Sequence, residues 1–276
     1  MIPALFEYER AESADHALQL LRQFGDEAKI LAGGHSLLPL MKLRLAQPSA
    51  LIDVGRIAEL SYVRDDGDVI AIGALTPYED VHFNDLVKEH CGIVAHTSGE
   101  VGDPQVRHRG TIGGSVAHGD PASDIPSVMV ALDADFVVHS ASGDRTVKAT
   151  EFFKSIFEVD LGPQELLTEL RVPKLNGAGW SYQKFQHRAQ DWATVGVAAV
   201  ARGDGRAAIG LTSMGETPLR ATSVEKALAS GTSVADASQQ AAEGTSPVSD
   251  PLGSSEYRKE MVKVFVRRAL EEALSR

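Results

Sequence analysis

Two short glycine motifs constrain the fold of this chain more than any other part of its sequence. The first is Ala32-Gly33-Gly34-His35-Ser36, which follows the apolar run at residues 29–31. The second is Thr111-Ile112-Gly113-Gly114-Ser115. Adjacent glycines can adopt positive φ and bring backbone N–H groups close to a ligand. Taken alone, each motif is compatible with an ordinary turn between elements or with an anion site at a helix start.

The repetition of the motif favours a ligand that carries two phosphates. A P-loop is excluded because no G-x-x-x-x-G-K-[ST] pattern occurs in the sequence. The segment Gly203-Asp204-Gly205-Arg206-Ala207-Ala208 matches G-x-G-x-x-A, but it lies between two strand-like runs. We therefore interpret it as a hairpin turn and not as a Rossmann loop.

The charge of the chain argues against nucleic acid as a partner. The formal net charge is -11 and the sequence pI is about 5.3. Such a surface repels phosphate backbones and anionic lipid headgroups, and the short basic run at residues 107–109 does not offset it. An anionic cofactor is still compatible, because backbone N–H groups need no net positive charge.

Cysteine content and hydropathy indicate in which cellular compartment the protein is located. Cys91 is the single cysteine, so an intrachain disulfide and a cysteine-ligated iron–sulfur cluster are excluded. The first ten residues lack a signal-peptide pattern, and no run approaches the roughly 18 apolar residues of a membrane span. We expect a cytoplasmic protein. The histidines have no spacing typical of a metal site, so we expect no metal on this chain.

Hydrophobic periodicity predicts small β/α units over the first 55 residues or so and mixed elements afterwards. Residues 99–126 have no period and read as an irregular but ordered binding loop. Asp124 is a candidate cap for a helix that runs to Leu132. The predicted helices are 14–24, 37–45, 80–96 with a possible break at 90–92, 124–132, 222–246 and 254–274. The predicted strands are 29–31, 51–54, 69–73, 135–139, 145–147, 166–172, 180–187, 194–201 and 206–213.

Trp192 has two interpretations. It is one of two tryptophans and lies beside a predicted strand, which is typical of a core aromatic. It could instead form a flat wall against an aromatic ring system. No nucleophilic triad is indicated, because none of the candidate serines, Ser98, Ser115 and Ser123, lies in a G-x-S-x-G elbow.

Two longer segments resemble a known family. Residues 29–36 and 105–124 are similar to the two FAD signatures of the flavoprotein subunits of molybdenum hydroxylases, the xanthine dehydrogenase family. The similarity is strongest to medium subunits of the aerobic carbon monoxide dehydrogenase type and extends over nearly the whole chain. One departure is Ser115, where some relatives have Asn; either side chain can donate a hydrogen bond.

The resemblance implies an α+β fold. A two-lobed FAD-binding domain of the PCMH/vanillyl-alcohol-oxidase type would occupy residues 1–176, with subdomains at about 1–55 and 56–176. A smaller α+β domain, like the C-terminal domain of carbon monoxide dehydrogenase flavoproteins, would occupy 177–276, after the glycine-rich stretch at 176–179.

The resemblance also implies which residues bind FAD. The two glycine motifs would hold the pyrophosphate, Asp124 would lie near the sugar or adenine, and Leu167 and Lys184 would lie on the flavin side. Trp192 is a further candidate for the isoalloxazine ring. The full predicted set comprises Leu31, Ala32, Gly33, Gly34, His35, Ser36, Leu37, Val101, Thr111, Ile112, Gly113, Gly114, Ser115, His118, Ser123, Asp124, Leu167, Lys184 and Trp192. No residue of this chain is expected to act as a catalytic acid or base.

In such assemblies a large subunit carries the molybdenum cofactor and oxidises the substrate. A small subunit with two 2Fe–2S clusters then delivers electrons to FAD, and an acceptor such as a quinone takes them up. The resemblance therefore implies an electron-transfer subunit in a dimer of heterotrimers, cytoplasmic or peripheral to the inner face of the membrane. Two alternatives remain open: a stand-alone flavin oxidase, and a non-enzymatic nucleotide-binding module.

Overall fold

The N-terminal lobe is built on a small parallel sheet. The computed structural model describes residues 2–202 and 205–276. The elements of this lobe are β1 (Glu7–Arg10), α1 (Ala14–Phe24), β2 (Ala28–Leu31), α2 (Leu37–Lys42) and β3 (Ala50–Asp53). The strand order is β1-β3-β2, and both pairings are parallel. The β/α character predicted for this part of the chain is confirmed, and the first glycine motif follows β2 at the carboxyl edge of the sheet.

Local signals set the helix ends in this lobe. Ser13 Oγ accepts the N–H of His16 at 3.1 Å, and Gly25 ends α1 with a φ of 70°. Helix α2 is shorter than the predicted 37–45. It ends because Arg44 adopts a φ of 58° and the Leu45 N–H turns back to the carbonyl oxygen of Leu40 at 2.9 Å.

The middle lobe combines an antiparallel sheet with a series of short helices. Its elements are β4 (Val63–Asp66), β5 (Val69–Gly73), α3 (Tyr78–Phe83), α4 (Asp85–His90), α5 (Gly92–Gly99), α6 (Pro104–Arg107), α7 (Ile112–His118), α8 (Asp124–Ala131), β6 (Asp135–Ser140), β7 (Gly143–Lys148), α9 (Ala149–Phe152), β8 (Phe153–Ser155), β9 (Glu158–Val159) and β10 (Leu166–Pro173). The order of the main sheet is β4-β5-β10-β6-β7, with all neighbours antiparallel. Strand β10 is therefore inserted between strands that precede it in the chain.

Two predictions for this lobe need correction. The helix predicted at 80–96 is three helices, broken at Asn84 and, as anticipated, at Cys91. The segment 99–126 is not irregular throughout, because it contains α6 and α7. Asp103 Oδ1 caps α6 by accepting the Val106 N–H at 2.9 Å, and Thr111 caps α7. Glycines within α7 hide its hydrophobic pattern, so the sequence suggests a loop.

The C-terminal part forms a four-stranded antiparallel sheet covered by one long helix. Its elements are β11 (Gly179–Phe185), β12 (Val195–Ala201), β13 (Ala207–Thr212), β14 (Leu219–Arg220), α10 (Thr222–Ala229), α11 (Val234–Ala237) and α12 (Ser255–Ser275). The strands follow one another in the order β11-β12-β13-β14. The helix predicted over 222–246 is divided at Gly231, which has a φ of 84°. Gly203 and Asp204 of the predicted hairpin turn lie outside the described residues, but β12 and β13 on either side pair as expected.

Three hydrophobic clusters form the core of the described structure. One cluster fills the N-terminal lobe around α1, and another lies between the C-terminal sheet and α12. The third and largest joins the middle lobe to the other face of the C-terminal sheet, and it includes α8 residues together with Tyr182 and Ala198. Helix α8 is therefore packed between the middle lobe and strands β11 to β13, which brings the C-terminal domain next to the second glycine motif.

Candidate functional site

The first glycine motif presents a row of backbone donors. Within residues 2–202 and 205–276, no protein acceptor pairs with the N–H groups of residues 33–36. Gly34 adopts a φ of 77°, a conformation that L side chains rarely take, and the side chains of His35 and Ser36 are exposed. Consecutive unpaired amides at the start of a helix form a cradle for an anion.

The second motif is built differently, because the amides of its residues 112–115 are already bonded. The N–H groups of Ile112 and Gly113 donate to the carbonyl oxygens of Thr76 and Ala74, at 3.0 and 2.9 Å. The Gly114 N–H donates to Thr111 Oγ1 at 3.1 Å, and the Ser115 N–H donates to the Thr111 carbonyl at 3.1 Å. The expectation that this motif repeats the amide chemistry of the first is therefore wrong. The side-chain polar groups of this motif are the hydroxyls of Thr111 and Ser115.

The two motifs lie against each other. A Cβ on Gly33 would collide with the carbonyl oxygen of Arg109 and would lie 2.8 Å from the Cα of Gly110. A Cβ on Gly114 would be 3.7 Å from the Cβ of Ala32. On its other side the second motif is packed onto the segment that follows β5, since a Cβ on Gly113 would be 2.6 Å from the Cα of Ala74. The glycines thus bring the unpaired amides of one lobe next to the hydroxyls of the other.

A dinucleotide fits this arrangement on physical grounds. Its pyrophosphate needs several donors within a small volume and a backbone that can approach closely, and both are present where the lobes meet. Leu31 and Leu37 flank the first motif and are half-buried. The seam between the lobes therefore fits one pyrophosphate, which would meet the amides of the first motif and the hydroxyls of the second.

Asp124 lies in a buried polar cluster and does not cap α8. The N-cap of α8 is Ser123, and the Asp124 carboxylate accepts from the Tyr182 hydroxyl at 2.6 Å and from Lys184 Nζ at 2.9 Å. Lys184 Nζ also donates to the Glu100 carbonyl at 2.9 Å. Burial raises the pKa of Asp124, because desolvation outweighs the opposing effect of the Lys184 ammonium and the two hydrogen bonds. The helix predicted from Asp124 is confirmed, but the predicted cap is wrong.

The other predicted residues occupy varied positions. Val101 is half-buried, and its carbonyl accepts from Arg107 Nη1 at 3.4 Å. His118 ends α7 with its ring centroid 5.0 Å from that of Phe157, and burial lowers the pKa of His118. Leu167 is 4% exposed and belongs to the core of the middle lobe.

Trp192 is not a core aromatic. Its side chain is 58% exposed, which makes the interpretation as a core residue wrong. It lines a 440 Å³ cleft together with Pro121 and Ala122 of the middle lobe. The described lining of this cleft also includes Arg188, Ser213 and Leu252 and contains none of the glycine motif residues.

Three polar residues of this region were not predicted from the sequence. Tyr78 lies next to the second motif: its N–H donates to the Gly110 carbonyl at 3.0 Å, and burial raises the pKa of its hydroxyl. Tyr182 donates to Asp124 from the distant strand β11. Asp120 is buried, and its Oδ2 has no hydrogen-bond partner among the described residues. Tyr78 and Tyr182 depend on contacts between segments far apart in sequence, whereas the Asp120 carboxylate accepts from the nearby Ala122 N–H and lies within the second signature.

The fold and the site define an FAD-binding protein of the two-lobed α+β class, followed by a smaller domain. A family model described as "FAD binding domain in molybdopterin dehydrogenase" matches residues 4–175, and one described as "CO dehydrogenase flavoprotein C-terminal domain" matches residues 180–273. The chain belongs to this family of FAD-binding subunits of molybdenum hydroxylases and is an oxidoreductase subunit. The predicted fold class is confirmed.

Relatives with different activities match over their full length. The carbon monoxide dehydrogenase medium chain of Hydrogenophaga pseudoflava is 41% identical and covers 100% of this chain and 99% of the relative. The glyceraldehyde dehydrogenase medium chain of Sulfolobus acidocaldarius is 40% identical, with 99% of each chain covered. A solved structure of the Hydrogenophaga pseudoflava enzyme, lacking the Mo-pyranopterin moiety of its cofactor, superposes with a TM-score of 0.96 at 42% identity over 100% of this chain and 99% of that one.

Two further observations concern the described residues only. No helix among them is long and apolar enough to cross a membrane. They also contain no group of three or more His, Cys, Asp or Glu side chains placed to hold a metal ion. Cys91 is buried, and burial raises the pKa of its thiol to about 12.

Proposed function

We propose that this chain binds FAD at the seam between its first two lobes and transfers electrons within a heterotrimeric molybdenum hydroxylase. The observation that carries the proposal is the row of amides at residues 33–36, which no acceptor in the described part of the chain pairs with, held against the second glycine motif by the close contact of Gly33 with Arg109. Backbone donors of this kind favour a pyrophosphate even in a chain of net charge -11.

The two motifs have different tasks in this proposal. The amides of the first motif hold the pyrophosphate charge, and Gly34 supplies the turn that aims them at one point. The second motif supplies the hydroxyls of Thr111 and Ser115 and a rigid helix start, because the amides of its residues 112–115 are fixed to the segment after β5 and to Thr111. When bound, FAD supplies reversible one- and two-electron chemistry that the side chains of this protein lack.

Residues from the C-terminal side complete the proposed site. Asp124 and Lys184 form a buried pair next to the second motif and fix the position of strand β11. The remaining predicted contacts, including Val101, His118, Ser123 and Leu167, line or support the path of the cofactor. Trp192 lies at the cleft shared by the middle lobe and the C-terminal domain, where a flat aromatic ring could be covered.

The partners follow from the same proposal. A small subunit with 2Fe–2S clusters would supply electrons, a large subunit with the molybdenum cofactor would oxidise the substrate, and an external acceptor such as a quinone would take the electrons up. We propose a dimer of heterotrimers and a carbon monoxide dehydrogenase-like enzyme. The choice of substrate belongs to the large subunit, since relatives as similar as the two chains above are named for carbon monoxide and for glyceraldehyde.

The test is cofactor content and electron flow in the purified protein. The chain is purified alone and together with its small and large subunits, and bound FAD is measured by absorbance and by extraction. We expect one FAD per chain in the complex and its reduction by substrate only when all three subunits are present. Absence of FAD from both preparations would overturn the proposal. Steady substrate turnover by the chain alone would instead support a stand-alone oxidase.

A further inference from the structure

The guanidinium of Arg107 links three segments of the middle lobe. Its Nε donates to Glu79 Oε2 in α3 at 3.0 Å. Its Nη1 donates to the carbonyl oxygen of Gly99, at the end of α5, at 3.2 Å and to that of Val101 at 3.4 Å. The side chains of Arg107 and Glu79 are each 18% exposed, so the ion pair is largely shielded from water. The rigid fork of an arginine suits such a set of acceptors, which lie in different directions.

Helix α6 depends on contacts of this kind for its position. It has four residues, which is too short for a helix to be stable through its own hydrogen bonds. Asp103 caps its first turn by accepting the Val106 N–H at 2.9 Å. Arg107 is its last residue and connects it to α3 and to the end of α5. These two side chains therefore anchor the two ends of α6.

The position of α6 in turn fixes the peptide unit between Arg109 and Gly110. The N–H of this unit, which belongs to Gly110, donates to the Val106 carbonyl at 2.6 Å. Its carbonyl oxygen, which belongs to Arg109, is the atom that a Cβ on Gly33 would meet first. Because a peptide unit is planar, its N–H and its carbonyl move together. A shift of α6 therefore moves the surface against which the amides of residues 33–36 are held.

Helix α3 holds the same part of the chain from the other side. The Gly110 carbonyl accepts the Tyr78 N–H at 3.0 Å. Tyr78 directly precedes Glu79, which is the ion-pair partner of Arg107. The Arg107–Glu79 pair thus connects the two elements that hold Gly110, one through its N–H and one through its carbonyl.

We propose that Arg107 is a positioning residue for the pyrophosphate of FAD. It holds the peptide between Arg109 and Gly110 against Gly33, and so keeps the amides of the first motif at the seam between the lobes. This inference rests on the proposed function, since it assumes that the pyrophosphate binds at the first motif.

The first measurement compares two conservative variants, Arg107→Lys and Arg220→Lys. Lysine keeps the charge but has one compact donor group in place of the fork. Arg220 is the matched control: it is 20% exposed, its Nε donates to Glu225 at 2.7 Å, and its Nη1 donates to the Val130 carbonyl at the far end of α8 at 3.2 Å. FAD is removed from the full complex and titrated back while its fluorescence is followed. We expect Arg107→Lys to weaken FAD binding about tenfold and Arg220→Lys to leave it within about twofold of the wild type.

The second measurement separates positioning from a general loss of stability. A protease is added to the FAD-free complex, and the rate at which this chain is degraded is compared between the two variants. Since both variants lose a similar set of hydrogen bonds, we expect similar increases in this rate, with weaker FAD binding in Arg107→Lys alone. If FAD affinity falls in both variants in proportion to the degradation rate, the effect is one of stability and the positioning role is overturned.

A double variant tests whether Arg107 acts together with Glu79. Glu79→Gln keeps the size of the side chain and removes its charge, so we expect it to weaken FAD binding about threefold. If the two residues act as one contact, Arg107→Lys/Glu79→Gln binds FAD only slightly more weakly than Arg107→Lys alone. Additive losses would contradict the connection between α3 and α6 on which the inference depends.

The outcomes distinguish this inference from the proposed function. A wild-type complex that binds no FAD overturns both. A wild-type complex that binds FAD, with Arg107→Lys equal to it, overturns the positioning role alone. If Arg107→Lys does not fold, Glu79→Gln tests the same contact from α3, and an FAD affinity equal to that of the wild type then overturns the positioning role.

Discussion

Gly33 illustrates how a single missing side chain holds the proposed site together. Its Cα faces the Arg109 carbonyl and the Cα of Gly110, so even a methyl group has no space unless the two lobes separate. We expect Gly33→Ala to abolish detectable FAD binding while the chain stays folded, because the steric conflict is confined to the seam. The measurements are FAD content after purification and the far-ultraviolet circular dichroism spectrum.

Gly231→Ala is the matched control for Gly33→Ala. A Cβ at Gly231 would meet no atom within 4 Å, although the φ of 84° makes the substitution mildly strained. This variant should lose about 1 kcal/mol of stability and retain full FAD content. Normal FAD content in Gly33→Ala would show that the lobes do not need this contact to hold the cofactor.

The sequence identifies the residues of the glycine motifs but not the roles of their groups. The pattern around Gly33 and Gly113 is local, so it can be read without a structure. The distinction between unpaired amides in the first motif and bonded amides in the second depends on Thr76 and Ala74, which lie more than thirty residues before Gly113. For the same reason the buried partners of Asp124 could not be predicted, since Tyr182 reaches it across 58 residues of sequence.

At the level of elements, Thr111 determines whether α7 begins at the right residue. Its Oγ1 accepts the Gly114 N–H at 3.1 Å, and the side chain is buried. Thr111→Val keeps the shape and removes the acceptor, so we expect a loss of about 1 kcal/mol in the free energy of unfolding and weaker FAD binding. Urea unfolding of the FAD-free protein measures the first effect. Thr111→Ser should restore most of both, and a failure to do so would argue against the cap.

A second element-scale contact links the first two lobes through His139. Its Nδ1 is 2.6 Å from Asp144 Oδ1 in β7, and its Nε2 is 2.9 Å from Asp15 Oδ1 in α1. The hydrogen bonds to Asp144 and then to Asp15 raise the pKa of His139 above its usual value. The stabilisation is therefore fully present below the ordinary histidine pKa and is lost as pH rises through the raised value.

This contact predicts that the difference in the free energy of unfolding between the wild type and His139→Gln depends on pH. We expect the wild type to be more stable than the variant at pH 5.5, and the gap to close at alkaline pH when His139 loses its proton. Urea unfolding at several pH values provides the comparison. If this difference in the free energy of unfolding is the same at every pH, the ion pairs contribute nothing and only packing differs between the two proteins.

The regular elements were predictable to the extent that their hydrophobic pattern is local. The buried strands β5, β10 and β12 and helix α1 carry clear patterns, and their positions are confirmed within a few residues. Strand β1 was missed because all four of its residues are exposed, so the sequence Glu-Tyr-Glu-Arg has no buried face to indicate it. Helix α7 was missed because its stability comes from the Thr111 cap and from packing on the segment that follows β5, not from an apolar stripe.

At the scale of the whole molecule, the C-terminal domain is part of the architecture that supports the proposed site. The core that surrounds α8 includes side chains from β11, β12 and β13, so the middle lobe and the C-terminal sheet share buried surface. The Asp124–Lys184 pair lies within this contact, with the two side chains 8% and 4% exposed. Burial on this scale makes the pair sensitive to the loss of either partner.

Lys184→Met tests this coupling across the molecule. The substitution keeps most of the side-chain volume but leaves the Asp124 carboxylate buried without its counter-charge, so we expect a loss of about 3 kcal/mol in the free energy of unfolding at neutral pH. The pKa of Asp124 in the folded variant then rises further above its unfolded value, and the folded state holds a proton that the unfolded state releases. The stability of the variant relative to the wild type should therefore improve as pH falls from 8 to 5. Adding Asp124→Asn should recover part of the loss and remove this pH dependence, which urea unfolding of the three proteins would measure. If Lys184→Met alone is as stable as the wild type at pH 8, the pair contributes little to joining the two domains.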